Sequence, residues 1–236
     1  MYIILFKLRE YRVGDSMKLR KIHIVSDLAH FKKPFSTKTQ ETYSIPPVST
    51  IIGIMKNLFD ENINNYKVGY VFEADRNSFK DIQRIYKEIN FNARSENDRY
   101  DTKSRKWVTD IAEIHYLVKP KLTIYTDIED KMQINEPLNL GKTDCLARIV
   151  NDEWIDLQNI SGEGFNQFTP LEIGNGRPMR ITTETKYNGT KGYYDIFRKE
   201  VRLSNNFKYD KNYDEDLEQN IFLWKYEGEG AISEYR

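Results

Sequence analysis

The sequence predicts an α+β fold, and the ferredoxin-like (RRM-like) split βαβ sheet is one of several plans that fit it. Aromatic residues make up 13% of the 236 residues, and together with β-branched residues they favour strands. The clearest helical pattern begins after Pro46-Pro47. Proline is tolerated in the first turn of a helix, so this pair is consistent with a helix start. The elements follow in the order strand, helix, strand, hairpin and further strands, a plan that underlies many RNA-binding modules.

The predicted helix has one apolar face, which carries Ile51, Ile52, Met55, Leu58 and Phe59. Gly53 lies inside it, where glycine costs ~1 kcal/mol relative to alanine. We therefore expect another part of the chain to pack closely against the helix backbone at Gly53.

Strands are predicted on both sides of this helix, at residues 18–26 and 66–72, from their β-branched and aromatic content. Residues 79–91 carry apolar side chains at helical spacing, and the residues alone leave helix and extended chain open. Residues 92–110 are polar and nearly free of aliphatic side chains, so they should project as a loop or hairpin.

The second half of the chain is predicted to be mainly β. Residues 111–128 form two strands or one bent strand, because Lys119-Pro120 interrupts them. A short helix is predicted at 129–135 and a strand-turn-strand at 138–149. Further strand-like patches are at residues 179–185, 193–197 and 221–226.

The remainder of the chain, residues 151–236, is predicted to be a smaller antiparallel β region. The acidic run 210–220 within it is predicted to be a solvated face.

The charge balance limits the kinds of partner. Lys plus Arg and Asp plus Glu both number 36, which excludes a globally basic nucleic-acid-binding protein but not a local basic face. Residues 1–50 hold nine Lys/Arg against four Asp/Glu, whereas residues 201–236 hold five against eight. A basic front and an acidic tail suit a protein that binds a phosphate chain with one part, although small imbalances also arise by chance.

Several classes of site are excluded by the residues that they require. The single cysteine, Cys145, rules out an internal disulfide and fits a reducing cytoplasm. No HExxH, P-loop or GxGxxG spacing is present, so no metal, cofactor or small-molecule substrate is predicted. No stretch approaches the roughly 20 apolar residues of a membrane span.

The first candidate RNA-binding segment is His30-Phe31-Lys32-Lys33. Its lysines can neutralise phosphates, Phe31 can stack on a base, and His30 can donate to a phosphate or a 2′-hydroxyl group. The structural alternative is an ordinary solvated basic loop with Phe31 in the core.

The second candidate segment runs from Tyr43 to Thr50. Tyr43 can stack or hydrogen-bond, while Ser49 and Thr50 lie in the first turn of the predicted helix, where free N–H groups favour an anion. Simple helix capping explains the same residues without a ligand.

Two further candidates are a glycine turn and the polar segment 92–110. Gly141-Lys142 can approach an RNA backbone closely, because glycine adds no side chain. The polar segment also contains acidic residues, which suit a protein contact as well as a phosphate contact. Its candidate residues are Arg94, Arg99, Lys103, Arg105, Lys106 and Trp107.

Three stretches carry a resemblance to a known family: AHFKKPFS, ETYSIPPVSTIIGIM and PLNLGKTDCLARI. Over Met17 to about Val150, the chain resembles the CRISPR-associated RAMP proteins of the fifth Cas family, most closely the type I-B branch. This extent implies three units: residues 1–16, which are either an extra strand or the product of an upstream start codon, the α+β domain at 17–150, and the β region at 151–236. The resemblance implies a RAMP domain with a protruding thumb hairpin at residues 92–110, and extended chain at 79–91. It places the His30–Lys33 loop on the RNA side of the protein.

The resemblance also implies a function and partners. Such subunits hold the 5′ handle of the guide RNA in the Cascade complex, and they contact the large subunit and the backbone subunit in antiviral defence. In the branches that the chain most resembles, a separate subunit performs RNA processing, which implies no catalytic residue here.

One alternative is a metal-independent endoribonuclease that processes precursor CRISPR RNA, as in the type I-C branch. That branch uses a tyrosine matching Tyr43 and a Lys-His pair on a later strand. His115 corresponds only in position, because Glu113 replaces a nearby cation and would repel a phosphate. A third hypothesis, from pattern alone, is an unrelated interaction protein.

Overall fold

A computed structural model describes residues 16–34, 36, 38–60, 62–88, 108–134, 136–190, 192–228 and 231–235. Residues 1–15 of the predicted N-terminal unit lie outside these ranges. So do residues 89–107, which include most of the predicted thumb hairpin.

Within the described residues, the chain forms one helix and thirteen strands. The helix, α1, is Val48–Leu58. The strands, in chain order, are β1 (Met17–Ser26), β2 (Leu28–Ala29), β3 (Thr39–Gln40), β4 (Tyr66–Glu88), β5 (Val108–Thr126), β6 (Ala147–Leu157), β7 (Gly162–Thr169), β8 (Asn175–Asn188), β9 (Tyr193–Tyr209), β10 (Tyr213–Asp214), β11 (Gln219–Asn220), β12 (Trp224–Gly228) and β13 (Ala231–Glu234).

Two largely antiparallel sheets dominate the architecture. The main sheet has the strand order β13-β12-β4-β5-β1-β6, with β2 paired to β5 in antiparallel and β3 paired to β5 in parallel orientation. The second sheet has three strands in the order β7-β9-β8, and β10 pairs with β11 as a small ribbon. Strands from residues 151–236 therefore enter both sheets, and the predicted domain boundaries stay a prediction.

The predicted α+β, ferredoxin-like fold is wrong, because the described residues are mostly antiparallel strand with a single helix. The segment with helical spacing is extended as far as Glu88, and β4 pairs with β5 from Val68↔Thr126 to Glu88↔Val108. Phe79 and Ile82 are exposed on this hairpin, so their spacing did not reflect a buried helix face. The short helix predicted at 129–135 is also wrong for residues 129–134.

Other local predictions are confirmed. Residues 18–26 and 66–72 lie in β1 and β4, and the patches at 179–185 and 193–197 lie in β8 and β9. Residues 111–126 belong to one irregular strand, in which Lys119 has a φ of 48°. None of the described helices is long and apolar enough to cross a membrane.

The core lies where α1 meets the two sheets. All five predicted apolar positions are buried, including Phe59 just beyond the helix end. They belong to one cluster with Ile22 and Ile124 of the main sheet and Ile181 and Val201 of the second sheet. Helix α1 is therefore held in place from both sides, which fixes the direction of its N-terminus.

The expected close packing at Gly53 is wrong. A Cβ added to Gly53 would meet nothing within 4 Å, outside the helix's own backbone. Gly53→Ala should therefore raise the free energy of unfolding by about 0.5–1 kcal/mol, because alanine has the higher helix propensity and loses less entropy on folding. Urea denaturation of the two proteins measures this, and a destabilised variant would contradict it.

The prediction of a solvated face at 210–220 is wrong in part. Asn212, Asp214, Gln219 and Asn220 are buried, and Asp214 forms an ion pair of 2.8 Å with the fully buried Lys21. The Asp214 carboxylate can be buried because Lys21 of β1 compensates its charge and the Tyr125 hydroxyl group donates a hydrogen bond to it.

Candidate nucleic-acid interface

One cavity of about 610 Å³ brings together residues that are far apart in the sequence. It lies between the loop after β2, the start of α1, the turn before β6 and the β8–β9 hairpin. Nine of the candidate residues line it: His30, Phe31, Lys32, Lys33, Tyr43, Ser49, Thr50, Gly141 and Lys142. It is also lined by Arg180, Thr182, Thr185 and Arg198, which sequence reasoning missed.

Backbone hydrogen bonds shape the loop that contains the first candidates. The Tyr43 N–H donates to the Phe31 carbonyl group at 2.8 Å, and the Lys33 N–H donates to the Glu41 carbonyl group at 2.9 Å. Phe31 is only 2% exposed and packs edge-on against Phe72, at a centroid distance of 5.5 Å. Stacking of Phe31 on a base would require its ring to leave the core.

His30 supports the cavity wall from a buried position. Its backbone N–H donates to the Leu140 carbonyl group at 3.1 Å, and its Nδ1 lies 2.8 Å from the His115 carbonyl oxygen. A carbonyl partner requires a proton on Nδ1, which leaves Nε2 as an acceptor in the neutral ring. Burial lowers the pKa of His30, and the buried Nε2 has no hydrogen-bond partner within the described residues.

The Gly141-Lys142 turn lies directly against the backbone of His30. Gly141 has a φ of 94°, and a Cβ at this position would collide with the His30 carbonyl oxygen. Lys142 Nζ contacts Gln83 Oε1 and Asp144 Oδ2, both at 2.8 Å. Burial acts to lower the pKa of Lys142, but its bonds to Asp144 and Tyr116 outweigh this and raise it.

Three exposed cations supply the unbalanced charge of the cavity: Lys32, Arg180 and Arg198. Two further lysines are already paired, Lys33 with Glu41 at 2.7 Å and Lys142 with Asp144. Across the described ranges, the three cations form no ion pair, and no carboxylate lines the cavity. The cavity is therefore suited to an anionic ligand.

The two missed arginines reach the cavity through strand register. Thr182 pairs with Arg198 and Arg180 pairs with Glu200, so both arginines lie on one face of the hairpin, while Ile181 and Val201 point into the core. The alternation Met179-Arg180-Ile181-Thr182 was the available signal in the sequence for Arg180, whereas the run Arg198-Lys199-Glu200 carries no such signal. The packing of β8 against α1, which brings that face to the cavity, was not readable from it.

The start of α1 completes the site. Pro47 is the N-cap, no side-chain hydrogen bond caps the helix among the described residues, and the first turn contains no acidic residue. Ser49 and Thr50 line the cavity instead of capping the helix. The positive end of the helix dipole therefore adds to the field of the three cations.

The remaining candidates are not part of this cavity. The His115 ring does not line it, and its Nε2 lies 2.6 Å from Glu113 Oε1. No group of metal-binding side chains occurs in the portion of the chain that the structure describes. The thumb candidates Arg94, Arg99, Lys103, Arg105, Lys106 and Trp107 lie outside the described residues.

The fold is similar to that of a solved structure. A chain of "Cryo-EM structure of the Type III-B Cmr-beta bound to cognate target RNA and AMPPnP, state 1" is similar at a TM-score of 0.51 and 10% identity, over 84% of this chain and 90% of that one. At this identity the likeness concerns the fold. No protein-family model and no curated protein matches the sequence.

Two other structures give lower scores. A chain of "CRISPR RNA-guided surveillance complex" has a TM-score of 0.47 at 11% identity, over 82% of this chain and 90% of that one. "Crystal structure of a CRISPR protein from Archaeoglobus fulgidus" has a TM-score of 0.36 at 10% identity, over 93% and 100%. Since both scores are below 0.5, the fold comparison rests on the Type III-B structure.

Proposed function

We propose that this chain is an RNA-binding subunit of a CRISPR effector complex and that the cavity holds the 5′ handle of the guide RNA. The observation that carries the proposal is the grouping of Lys32, Arg180 and Arg198, without an ion pair in the described structure, beside the uncapped start of α1. Phosphate groups are the ligands that such a combination favours.

The contacts divide by chemistry. The three cations bind phosphates, while the hydroxyl groups of Ser49 and Thr50 are placed to bond phosphate or sugar oxygens. Tyr43 is half-buried in the cavity wall and offers a ring for stacking. A single-stranded, hooked RNA segment presents all three kinds of group to a concave site.

Two independent observations support the assignment to CRISPR complexes. The three sequence stretches that resemble the family place residues in this one cavity: the loop from His30, the start of α1, and Gly141-Lys142. A chain with a similar fold occurs in a Type III-B complex bound to target RNA. The proposal extends to the type I-B branch and to the large-subunit and backbone-subunit partners, which the sequence resemblance implies. It extends also to a cytoplasmic location, which the single cysteine fits.

The proposed role is non-catalytic. The endoribonuclease alternative needs Tyr43 and His115 at one phosphate, whereas Tyr43 lines the cavity and the His115 ring is engaged by Glu113. Cleavage of a repeat RNA in EDTA, abolished by Tyr43→Phe, would overturn this part of the proposal.

Replacing both arginines, Arg180→Gln with Arg198→Gln, should weaken binding of a labelled repeat RNA roughly 30- to 100-fold, because two phosphate contacts are lost. The slope of log K against log salt should fall by about 1.4, following the counterion-release rule for single strands. Native gels over a salt series measure both quantities.

Lys208→Gln is the matched control, because Lys208 is exposed on β9 but lies outside the cavity. It should leave the affinity unchanged within about twofold. Equal losses in the control and the double variant would contradict a localised site. Wild-type protein that binds RNA no better than a mixed-charge polymer, alone and co-expressed with its neighbouring subunits, would favour the unrelated interaction protein.

A further inference from the structure

The β8–β9 hairpin extends beyond the cavity and carries exposed aromatic side chains. Tyr187 is 59% exposed and Tyr194 is 61% exposed. Their rings meet edge-on with a centroid distance of 5.3 Å. The two tyrosines thus form a paired, solvent-facing aromatic surface near the end of the hairpin, where Asn188 pairs with Tyr193.

Strand register places this tyrosine pair on the face that lines the cavity. Thr182 pairs with Arg198, Thr185 with Ile196, and Tyr187 with Tyr194. Directly opposed residues in an antiparallel pair share a face, and that face recurs every second residue. Arg198, Ile196 and Tyr194 therefore follow one another along the same face of β9.

The distance along this face is short. Thr185 lines the cavity, and Tyr187 is two residues further along β8, which is about 7 Å of extended strand. A ligand chain that leaves the cavity at Thr185 and Arg198 passes directly over the tyrosine pair.

Single-stranded nucleic acid fits this arrangement better than a protein partner does. Binding surfaces for single strands combine cations that contact the backbone with aromatic rings that stack on bases. The hairpin face offers this order, with Arg180 and Arg198 at the cavity followed by the tyrosine pair. Protein interfaces instead centre on a wider apolar patch. On this face, the apolar residue beside the tyrosine pair is Ile196, which makes a much smaller patch.

We propose that Tyr187 and Tyr194 are a stacking platform for bases of the RNA strand that emerges from the cavity. This inference rests on the proposed RNA-binding function and extends it to the sequence-tolerant part of the strand. Because every base has an aromatic face, the platform contributes affinity without reading a sequence.

The test compares the full chain with Tyr187→Ala/Tyr194→Ala and with Tyr187→Phe/Tyr194→Phe. The probes are fluorescent oligoadenylate, oligouridylate and an abasic ribose-phosphate oligomer of equal length. The alanine variant should bind oligoadenylate roughly tenfold more weakly for each base that is no longer stacked. The phenylalanine variant keeps both rings and should bind like the wild type.

The abasic oligomer separates stacking from phosphate binding. It should bind the alanine variant and the wild type equally, with the same salt slope, because the cations of the cavity are unchanged. Circular dichroism checks that the exposed substitutions leave the fold intact.

Two results would overturn the inference, and they differ from each other. If the wild type binds RNA and the alanine variant binds every probe equally well, the platform is absent while the cavity proposal stands, and the tyrosines are then a protein-contact surface. If the wild type binds neither these probes nor the labelled repeat RNA, the proposed function and the platform both fail.

Discussion

Lys21→Met is expected to lower the free energy of unfolding by about 3–5 kcal/mol, the range measured when one partner of a buried ion pair is removed. Lys21 is fully buried, and its Nζ lies 2.8 Å from both Asp214 Oδ2 and Asp216 Oδ2. Asp214 is 2% exposed and accepts a hydrogen bond of 2.5 Å from the Tyr125 hydroxyl group. Without Lys21, the Asp214 carboxylate keeps its hydrogen bonds but stays buried without a counter-ion.

The position of this pair explains why the effect should be global. Lys21 lies in β1, between β5 and the edge strand β6 of the main sheet, Tyr125 lies in β5, and Asp214 belongs to the β10–β11 ribbon. The pair therefore joins the end of the chain to its beginning. Loss of the cation weakens the attachment of the ribbon to the sheet, which then rests on the Tyr125 hydroxyl group and the Gln158–Tyr213 backbone bonds.

Urea denaturation followed by circular dichroism measures the loss. Glu227→Gln is the matched control, because its 3.0 Å pair with Lys225 is exposed and should contribute no more than about 1 kcal/mol. Lys21→Met combined with Asp214→Leu should recover part of the loss, since no buried charge is then unpaired. A Lys21→Met variant as stable as Glu227→Gln would contradict the compensation argument.

Gly141→Ala is expected to cost about 3 kcal/mol of stability and to remove RNA binding. A left-handed φ costs a residue with a Cβ about 1–2 kcal/mol, and overpacking adds about 1–3 kcal/mol. An alanine at position 141 would incur both costs, the first from the φ of 94° and the second from the collision of its Cβ with the His30 carbonyl oxygen. The turn must move away from His30, which separates Lys142 and the His30 loop from the rest of the cavity.

Gly189→Ala is the control for this substitution. Gly189 has no left-handed φ, and a Cβ there would meet nothing within 4 Å. It should change stability by no more than about 0.5 kcal/mol and leave repeat-RNA affinity unaltered. If Gly141→Ala binds RNA like the wild type at a temperature where it remains folded, the turn does not shape the binding site.

Local patterns were sufficient for some elements. The start of α1 and its buried face were predictable, because proline position and apolar spacing act within a few residues of chain. The same holds for Gly141, since a glycine next to a lysine between two short apolar runs indicates a tight turn. Nine candidate residues chosen in this way line one cavity, while their binding role stays a prediction.

Other features depend on partners far away in the sequence. Residues 79–88 have helical spacing but are extended, because β5 supplies backbone partners along their whole length. Asp214 was predicted to belong to a solvated acidic run, yet it is buried, with an ion pair to Lys21 and a hydrogen bond from Tyr125. Sequence periodicity reports only on residues close together in the chain. The conformation of residues 79–88 and the burial of Asp214 are instead set by residues that are distant in sequence.

The sequence by itself determined the helix, most strands, the glycine turn and the basic loop, since their causes are local. Only the tertiary structure decided that this is a two-sheet β protein. It also decided that β8 packs against α1 and, with its partner β9, places Arg180 and Arg198 in the cavity. The physical reason is that strand pairing and the burial of charge satisfy backbone and ionic groups over long sequence separations.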